Sequence, residues 1–171
     1  APDVDSIYDI PDNFEKEGFS EMLCDLLYVT CSSGKTESAA HWDHFIRRLH
    51  APVGEVKIAV IGKYFDTGDF VLADSYISVI EAIRHATYSF SRTPVLTWIN
   101  SVDFETNPEK LKELSQYDGV IVPGGFGARA VEGIISAIQY VRENKIPYFG
   151  LCYGMQLAVI EYARHVAGLA G

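Results

Sequence analysis

Cysteine is scarce in this chain: Cys24, Cys31 and Cys152 are the only three, with no CxxC pair among them. An odd count at such spacing argues against a disulfide framework and a zinc site, and makes a reducing cytoplasm the simplest setting. Basic residues are also in deficit, 14 against 23 acidic ones, for a net charge of −9. A binder of the nucleic-acid backbone needs a basic face, so nucleic acid is not an expected partner. No apolar run approaches the ~20 residues of a membrane helix, so no membrane partner is expected either. The HxxxH and HExxH spacings of metal sites are missing. His41 and His44 stand three apart without a carboxylate or thiol partner at metal-site spacing, and no metal ligand is expected. The opening Ala1-Pro2-Asp3-Val4-Asp5 lacks an initiating Met and a basic leader. It reads as a chain that begins inside a larger protein.

What is present from residue 56 onward is regular. Val56-Lys57-Ile58-Ala59-Val60-Ile61 is a short β-branched run that predicts a buried strand. Tyr76, Val79, Ile80, Ile83 and Thr87 then recur at helical spacing. A second strand is predicted at Val95-Leu96-Thr97-Trp98-Ile99. After it, Asn107-Pro108-Glu109 starts a short helix toward Leu114. Gly119-Val120-Ile121-Val122 is a third strand, and Val131, Ile134, Ile135, Ile138 and Val141 mark the next helix. A fourth strand is predicted over residues 146–151, followed by a helix from Met155 to about Val166. Strand alternating with helix gives an α/β fold, a parallel sheet with helices on both faces. Ligands of such sheets bind beyond the carboxyl ends of the strands. Residues 1 to about 50 are less regular. They hold two short amphipathic helices, around Phe19–Leu27 and Trp42–Leu49, separated by an exposed stretch from Val29 to Thr36.

Two strand ends carry the chemistry. Gly150-Leu151-Cys152-Tyr153-Gly154 lies between a strand and a helix and reads as a nucleophile elbow with sulfur in place of oxygen. Its glycines permit a sharp turn that lifts Cys152 over the sheet edge. The position is also a helix N-terminus, where N–H groups and the dipole favour negative charge on the sulfur. The Tyr153 N–H then points where a tetrahedral oxyanion forms. The turn Pro123-Gly124-Gly125 of the neighbouring strand supplies a second donor, because glycine leaves its N–H open to substrate. The plainer alternative is that Cys152 is a small buried hydrophobe. The paired glycines and the facing Gly-Gly turn weigh against it.

Two other motifs carry less. Ser32-Ser33-Gly34-Lys35-Thr36 ends like a phosphate-binding loop, but residue 29, where the first Gly belongs, is Val. Gly125-Phe126-Gly127-Ala128-Arg129-Ala130 fits a dinucleotide fingerprint. The next strand, however, ends in Gly150-Leu151-Cys152 and not in the acidic residue that binds ribose.

Taken together, Pro123-Gly124-Gly125-Phe126-Gly127, Val131-Glu132-Gly133 and the run from Ile146 through Cys152 to Gln156 resemble the class I glutamine amidotransferase domain of the CTP synthase family. Gly62-Lys63-Tyr64 with Asp74-Ser75-Tyr76-Ile77-Ser78-Val79-Ile80-Glu81-Ala82 resembles that family in particular. So does Asp3-Val4-Asp5-Ser6-Ile7-Tyr8-Asp9-Ile10-Pro11, which is similar to the end of its synthetase domain.

The resemblance implies a flavodoxin-like fold, truncated at its C-terminal end. It divides the chain into the end of a synthetase domain (1–27), a linker (28–54) and the first part of the amidotransferase domain (55–171). It implies glutamine hydrolysis through a Cys152 thioester, with the ammonia used in ATP-dependent amination of UTP to CTP. Gly125 and Tyr153 become the oxyanion donors. Gly125, Phe126, Tyr153, Gly154, Met155 and Gln156 line the L-glutamine site, and Phe126 lies near the GTP activator and the ammonia path. Asp3 and Val4 contact ATP, and residues 62–76 form a lid. ATP, Mg²⁺ and GTP are expected of the whole enzyme, with no cofactor or metal in this segment. A homotetramer in the cytoplasm is expected on the same grounds.

Three features depart from the family. Tyr153 stands where Leu is usual, and residues 65–73 make the lid longer. The Pro-x-x-His-Pro-Glu-like motif that carries the catalytic base is missing, and His41, His44, His50, His85 and His165 do not sit in such a setting. The base is therefore expected outside these residues, and the isolated chain is expected to be inactive. Two alternatives stay open: another class I amidotransferase or Cys-elbow hydrolase, and a non-catalytic domain that has kept the elbow as a binding surface.

Overall fold

The structure, a computed structural model, describes residues 3–4, 6–31, 36–63, 69–125, 127 and 129–169, with the backbone alone over 69–75. Four parallel strands form its sheet: β1 (Glu55–Gly62), β2 (Thr93–Asn100), β3 (Gly119–Val122) and β4 (Tyr148–Gly150). Their order is β2-β1-β3-β4. The chain leaves β1 toward β2, then returns to place β3 on the other side of β1. With right-handed crossovers, this reversal puts successive connections on opposite faces. It also opens a crevice between the carboxyl ends of β1 and β3, the switch point where ligands of such sheets bind.

Burial follows from that order. β1 is central, and Ala59, Val60 and Ile61 are fully buried in succession. A continuous apolar run suits a strand covered on both faces, whereas the edge strand β2 begins in alternation. The helix α6 (Val131–Glu143) buries Ile134, Ile135, Ile138 and Val141. These meet Leu114, Val120, Val122 and, from α7 (Tyr153–His165), Leu157 in one core. Each such side chain contributes roughly 1.5–3 kcal/mol by burial. Glu161 is the charged exception on α7, 1% exposed. Arg142 of α6 donates to both its carboxylate oxygens, and His165 lies 3.3 Å away, so the α6–α7 contact holds a paired buried carboxylate.

The N-terminal part consists of a 3₁₀ turn (Ile7–Asp9) and the helices α1 (Ile10–Lys16), α2 (Phe19–Leu27) and α3 (Glu37–His50). Ser6 caps the turn and Thr36 caps α3, each side-chain oxygen accepting a backbone N–H. Neither the turn nor these three helices bury any residue.

Several expectations need correction. Cys24 and Cys31 are bonded as a disulfide, with Cα atoms 5.8 Å apart. The cause is local: Tyr28 ends α2 in the left-handed region at φ 56°, and the chain turns back so that Val29 donates to the Cys24 carbonyl at 3.0 Å. A count of cysteines cannot foresee such a reversal. The helix expected from Tyr76 begins seven residues earlier, since α4 runs Asp69–Ser89 with a non-helical break at Tyr76 (φ −120°, ψ 17°). The part of the expected lid at 64–68 lies outside the described residues, as do Phe126 and the residues 32–35 of the phosphate-loop-like string. Pro108–Gln116 is a 3₁₀ helix, following α5 (Val102–Thr106), and Asn107 caps it through Glu109 N–H.

Candidate active site

The two glycines of the elbow answer to two collisions. A Cβ on Gly150 would lie 2.5 Å from the Gly154 carbonyl carbon, and one on Gly154 would lie 2.2 Å from the Val122 oxygen. Only glycine lets the start of α7 pass this close to β3 and β4. Hydrogen bonds complete the turn: Leu151 donates to Val122 O at 2.9 Å, Gly154 to Leu151 O at 3.0 Å and Gln156 to Cys152 O at 3.1 Å. From below, the half-buried Tyr148 hydroxyl donates to Gly154 O at 2.8 Å. Burial pushes that phenol's pKa above the usual tyrosine range.

Cys152 caps α7 at φ 51°, ψ −101°, a backbone conformation that L residues rarely adopt. Such strain costs of order 1–3 kcal/mol and persists where the surroundings enforce it. The two glycine collisions and the hydrogen bonds enforce it here. The result is an exposed free cysteine and not an inward-packed one. Tyr153 is the first residue of α7, so its N–H has no acceptor inside the helix.

The Gly124-Gly125 turn faces this elbow. A Cβ on Gly124 would sit 3.8 Å from Cys152 Cβ, and one on Gly125 would sit 3.8 Å from Tyr153 Cδ1. Gly124, Gly125 and Tyr153 share one cleft with Lys63 and Tyr76. On the other side of Tyr153 lies a more open groove lined by Gly127, Glu132, Gln156 and Ile160. The structure therefore brings Gly125, Cys152 and Tyr153 to one place, while Gln156 lines the neighbouring groove. Met155 is exposed, whereas Gly154 is buried against Val122 and shapes the turn from beneath. Asp3 is exposed and Val4 half-buried, ahead of the Ser6 cap.

Lys63, which the sequence pattern does not single out, stands at the same cleft. It directly follows β1, is 5% exposed and lies 4.3 Å above the Tyr153 ring centroid. Its ammonium donates to Gly127 O and to Tyr153 Oη. The Gly62-Lys63-Tyr64 string was visible, but a lysine at a strand end reads by default as solvated. The side chain of Tyr153, where the family usually has Leu, is what holds it.

The histidines stand elsewhere. His50 pairs with Asp9 at 2.7 Å, His85 packs 5.0 Å from the Tyr8 ring, and His165 is the Glu161 neighbour.

The chain is similar to known proteins. The family model "Glutamine amidotransferase class-I" matches residues 71–170. The CTP synthase of Nostoc punctiforme is 44% identical over 169 residues, 99% of this chain and 29% of its own length. That of Carboxydothermus hydrogenoformans is 45% identical, again over 99% of this chain and 30% of its own. The chain thus spans about a third or less of the length of these curated relatives. Among solved structures, the Trypanosoma brucei CTPS glutaminase domain with bound acivicin superposes with a TM-score of 0.59 at 40% identity. That match covers 66% of this chain and 42% of the other.

Proposed function

The chain belongs to the class I glutamine amidotransferase family, and on that premise we propose that it hydrolyses glutamine at Cys152 as part of a longer protein that makes CTP. The observation that carries this reading is the exposed Cys152, held at φ 51° on a glycine-flanked turn facing Gly124-Gly125.

In this reading the Cys152 sulfur attacks the side-chain amide carbon of L-glutamine. The carbonyl π electrons move onto oxygen, and that oxyanion accepts hydrogen bonds from the N–H groups of Tyr153 and Gly125. Removing one such donor typically costs ~2.7–4 kcal/mol of transition-state stabilisation. Collapse of the intermediate breaks the C–N bond, and the nitrogen leaves as ammonia after taking up a proton. Water then cleaves the remaining thioester to glutamate and the free thiol. Gly125, Tyr153 and Gln156 are assigned to the substrate side, and Phe126, Gly154 and Met155 are assigned there by resemblance alone. The five histidines stand on α3, α4 and α7, three of them with the partners named above, so the proton-transferring base is assigned to a residue outside this sequence. General-base assistance is worth ~10²–10⁴-fold, and the isolated chain is expected to turn over little.

The use of the ammonia, amination of UTP with ATP and Mg²⁺ under GTP activation, rests on the similarity to CTP synthases. Asp3 and Val4 do not by themselves make a triphosphate site, because a carboxylate repels phosphate. If they touch ATP, it is at its uncharged parts. A cytoplasmic homotetramer is proposed on the same similarity.

The test is labelling of the full-length protein that carries this sequence with 6-diazo-5-oxo-norleucine, followed by peptide mass spectrometry. The adduct is expected on Cys152 and is expected to vanish in Cys152→Ala. An adduct on another residue, or one that persists in the variant, overturns the assignment.

A further inference from the structure

Three segments meet at one triangle of polar atoms. Lys63 comes from the end of β1, Gly127 from the loop after β3 and Tyr153 from the first position of α7. The Lys63 ammonium donates to Gly127 O and, at 3.2 Å, to Tyr153 Oη. Tyr153 Oη in turn donates to the same Gly127 O at 2.9 Å. The three bonds are mutually compatible, because the ammonium gives one hydrogen to the carbonyl and one to the phenol oxygen, the phenol gives its own to the same carbonyl, and that carbonyl has two lone pairs. The ring of Tyr153 lies beneath the cation, which adds an electrostatic attraction of its own.

Burying an ammonium is costly, and an apolar pair of the same size fills such a space at less expense. The gain is therefore in geometry. Gly127 lies two residues after Gly125, and Tyr153 directly follows Cys152. The triangle thus spans the two segments that carry the oxyanion donors of the proposed reaction, and β1, the central strand, supplies the tie. We propose that Lys63 is a positioning residue for glutamine hydrolysis, setting the spacing between the Gly125 and Tyr153 backbone donors through the Tyr153 side chain. This rests on the reading of Cys152 as nucleophile and deepens it. It also gives a reason for Tyr153 in place of the usual Leu, since Leu offers neither the ring nor the hydroxyl.

The experiment compares Lys63→Met, Tyr153→Leu and the double variant in the full-length protein that carries this sequence. Glutaminase kcat is expected to fall about 10–100-fold in Lys63→Met, the scale of a small displacement of reacting groups. KM is expected to stay near the wild-type value. Alkylation of Cys152 by iodoacetamide, which needs no oxyanion donor, is expected to proceed at the wild-type rate. The double variant is expected to be no worse than Lys63→Met alone, because both changes remove one shared interaction. Wild-type kcat in Lys63→Met, a raised KM with kcat intact, or additive losses in the double variant each overturn the proposal. Should Lys63→Met fail to fold by thermal melt, Tyr153→Phe keeps the ring and removes both hydroxyl bonds. It is then expected to lower kcat several-fold, and wild-type kcat in that variant overturns the proposal equally. Cys152→Ala serves as control: activity surviving there removes the underlying reading, whereas activity lost there but kept in Lys63→Met removes only the role of Lys63.

Discussion

The helical stretch before residue 51 and the sheet unit after residue 54 solve the same problem differently. The sheet unit builds a core of its own, in which Leu114, Ile134, Val141 and Leu157 are essentially sealed from solvent. In the N-terminal stretch, α1 to α3 bury no residue, and Met22, Leu26, Leu27 and Tyr28 stay exposed. An amphipathic helix is stable in water when its apolar stripe meets another surface. What docks this stretch is a small cluster around Tyr8. Its ring lies 5.4 Å from Phe45, 6.2 Å from Trp42 and 5.0 Å from His85. The Tyr8 hydroxyl donates to the carboxylate of Glu81 on α4, which also pairs with Arg84 at 2.6 Å. Burial works to raise the Glu81 pKa, but the hydrogen bonds from Tyr8 and Arg84 outweigh it and leave it below the usual carboxylate range. The difference teaches that stability is concentrated in one region, while the other is held by a few specific contacts.

The contrast can be broken most severely at the site. Cys152→Ala is expected to lower glutaminase activity of the full-length protein by more than about 10³-fold while leaving its melting temperature within a few degrees. Next in size is Gly154→Ala, whose methyl would meet the Val122 oxygen at 2.2 Å. Overpacking of this kind costs typically 1–3 kcal/mol, and backbone contact puts it at the upper end. A lowered melt together with lost Cys152 labelling checks it. A paired test follows: Leu114→Ala is expected to destabilise the sheet unit by roughly 2–5 kcal/mol. Met22→Ala is expected to cost under about 0.5 kcal/mol, as an exposed position does. Comparable losses in denaturant melts would erase the distinction between the two regions.

The smallest effect concerns the Tyr8 contact. Burial, followed by the hydrogen bond and negative charge of Glu81, raises the Tyr8 phenol from 10.0 to about 12. Because the docked state keeps its proton longer than the undocked one, docking is fully supported below pH 10. It weakens as pH rises through about 12. A tyrosinate absorbance titration of wild type minus Tyr8→Phe is expected to show one phenol ionising near that upper value. A difference titrating at the ordinary position would show that the cluster does not hold in solution.

The elbow was legible because chemistry and geometry impose the same spacing. A strained residue between β4 and α7 needs glycine two positions to either side, and Gly150 and Gly154 stand there for the contacts described above. The α6 face was equally readable, since Ile134, Ile135, Ile138 and Val141 recur at helical period. Lys63 and the Cys24–Cys31 bond were not legible, because each depends on a residue brought close by a turn or by a strand order that local pattern does not encode. The early start of α4 was hidden for a different reason: Phe70, Val71, Leu72 and Ala73 form one unbroken apolar run, which does not mark a helical face.

From the residues alone came the alternation of strand and helix, the reactive position at Cys152 and the facing Gly124-Gly125 turn, because apolar periodicity and glycine placement are local properties. Only the folded chain decided that β1 lies between β2 and β3. That order brings the side chain after β1 onto the ring after Cys152, and proximity between distant segments is a property of the packing and not of any one of them.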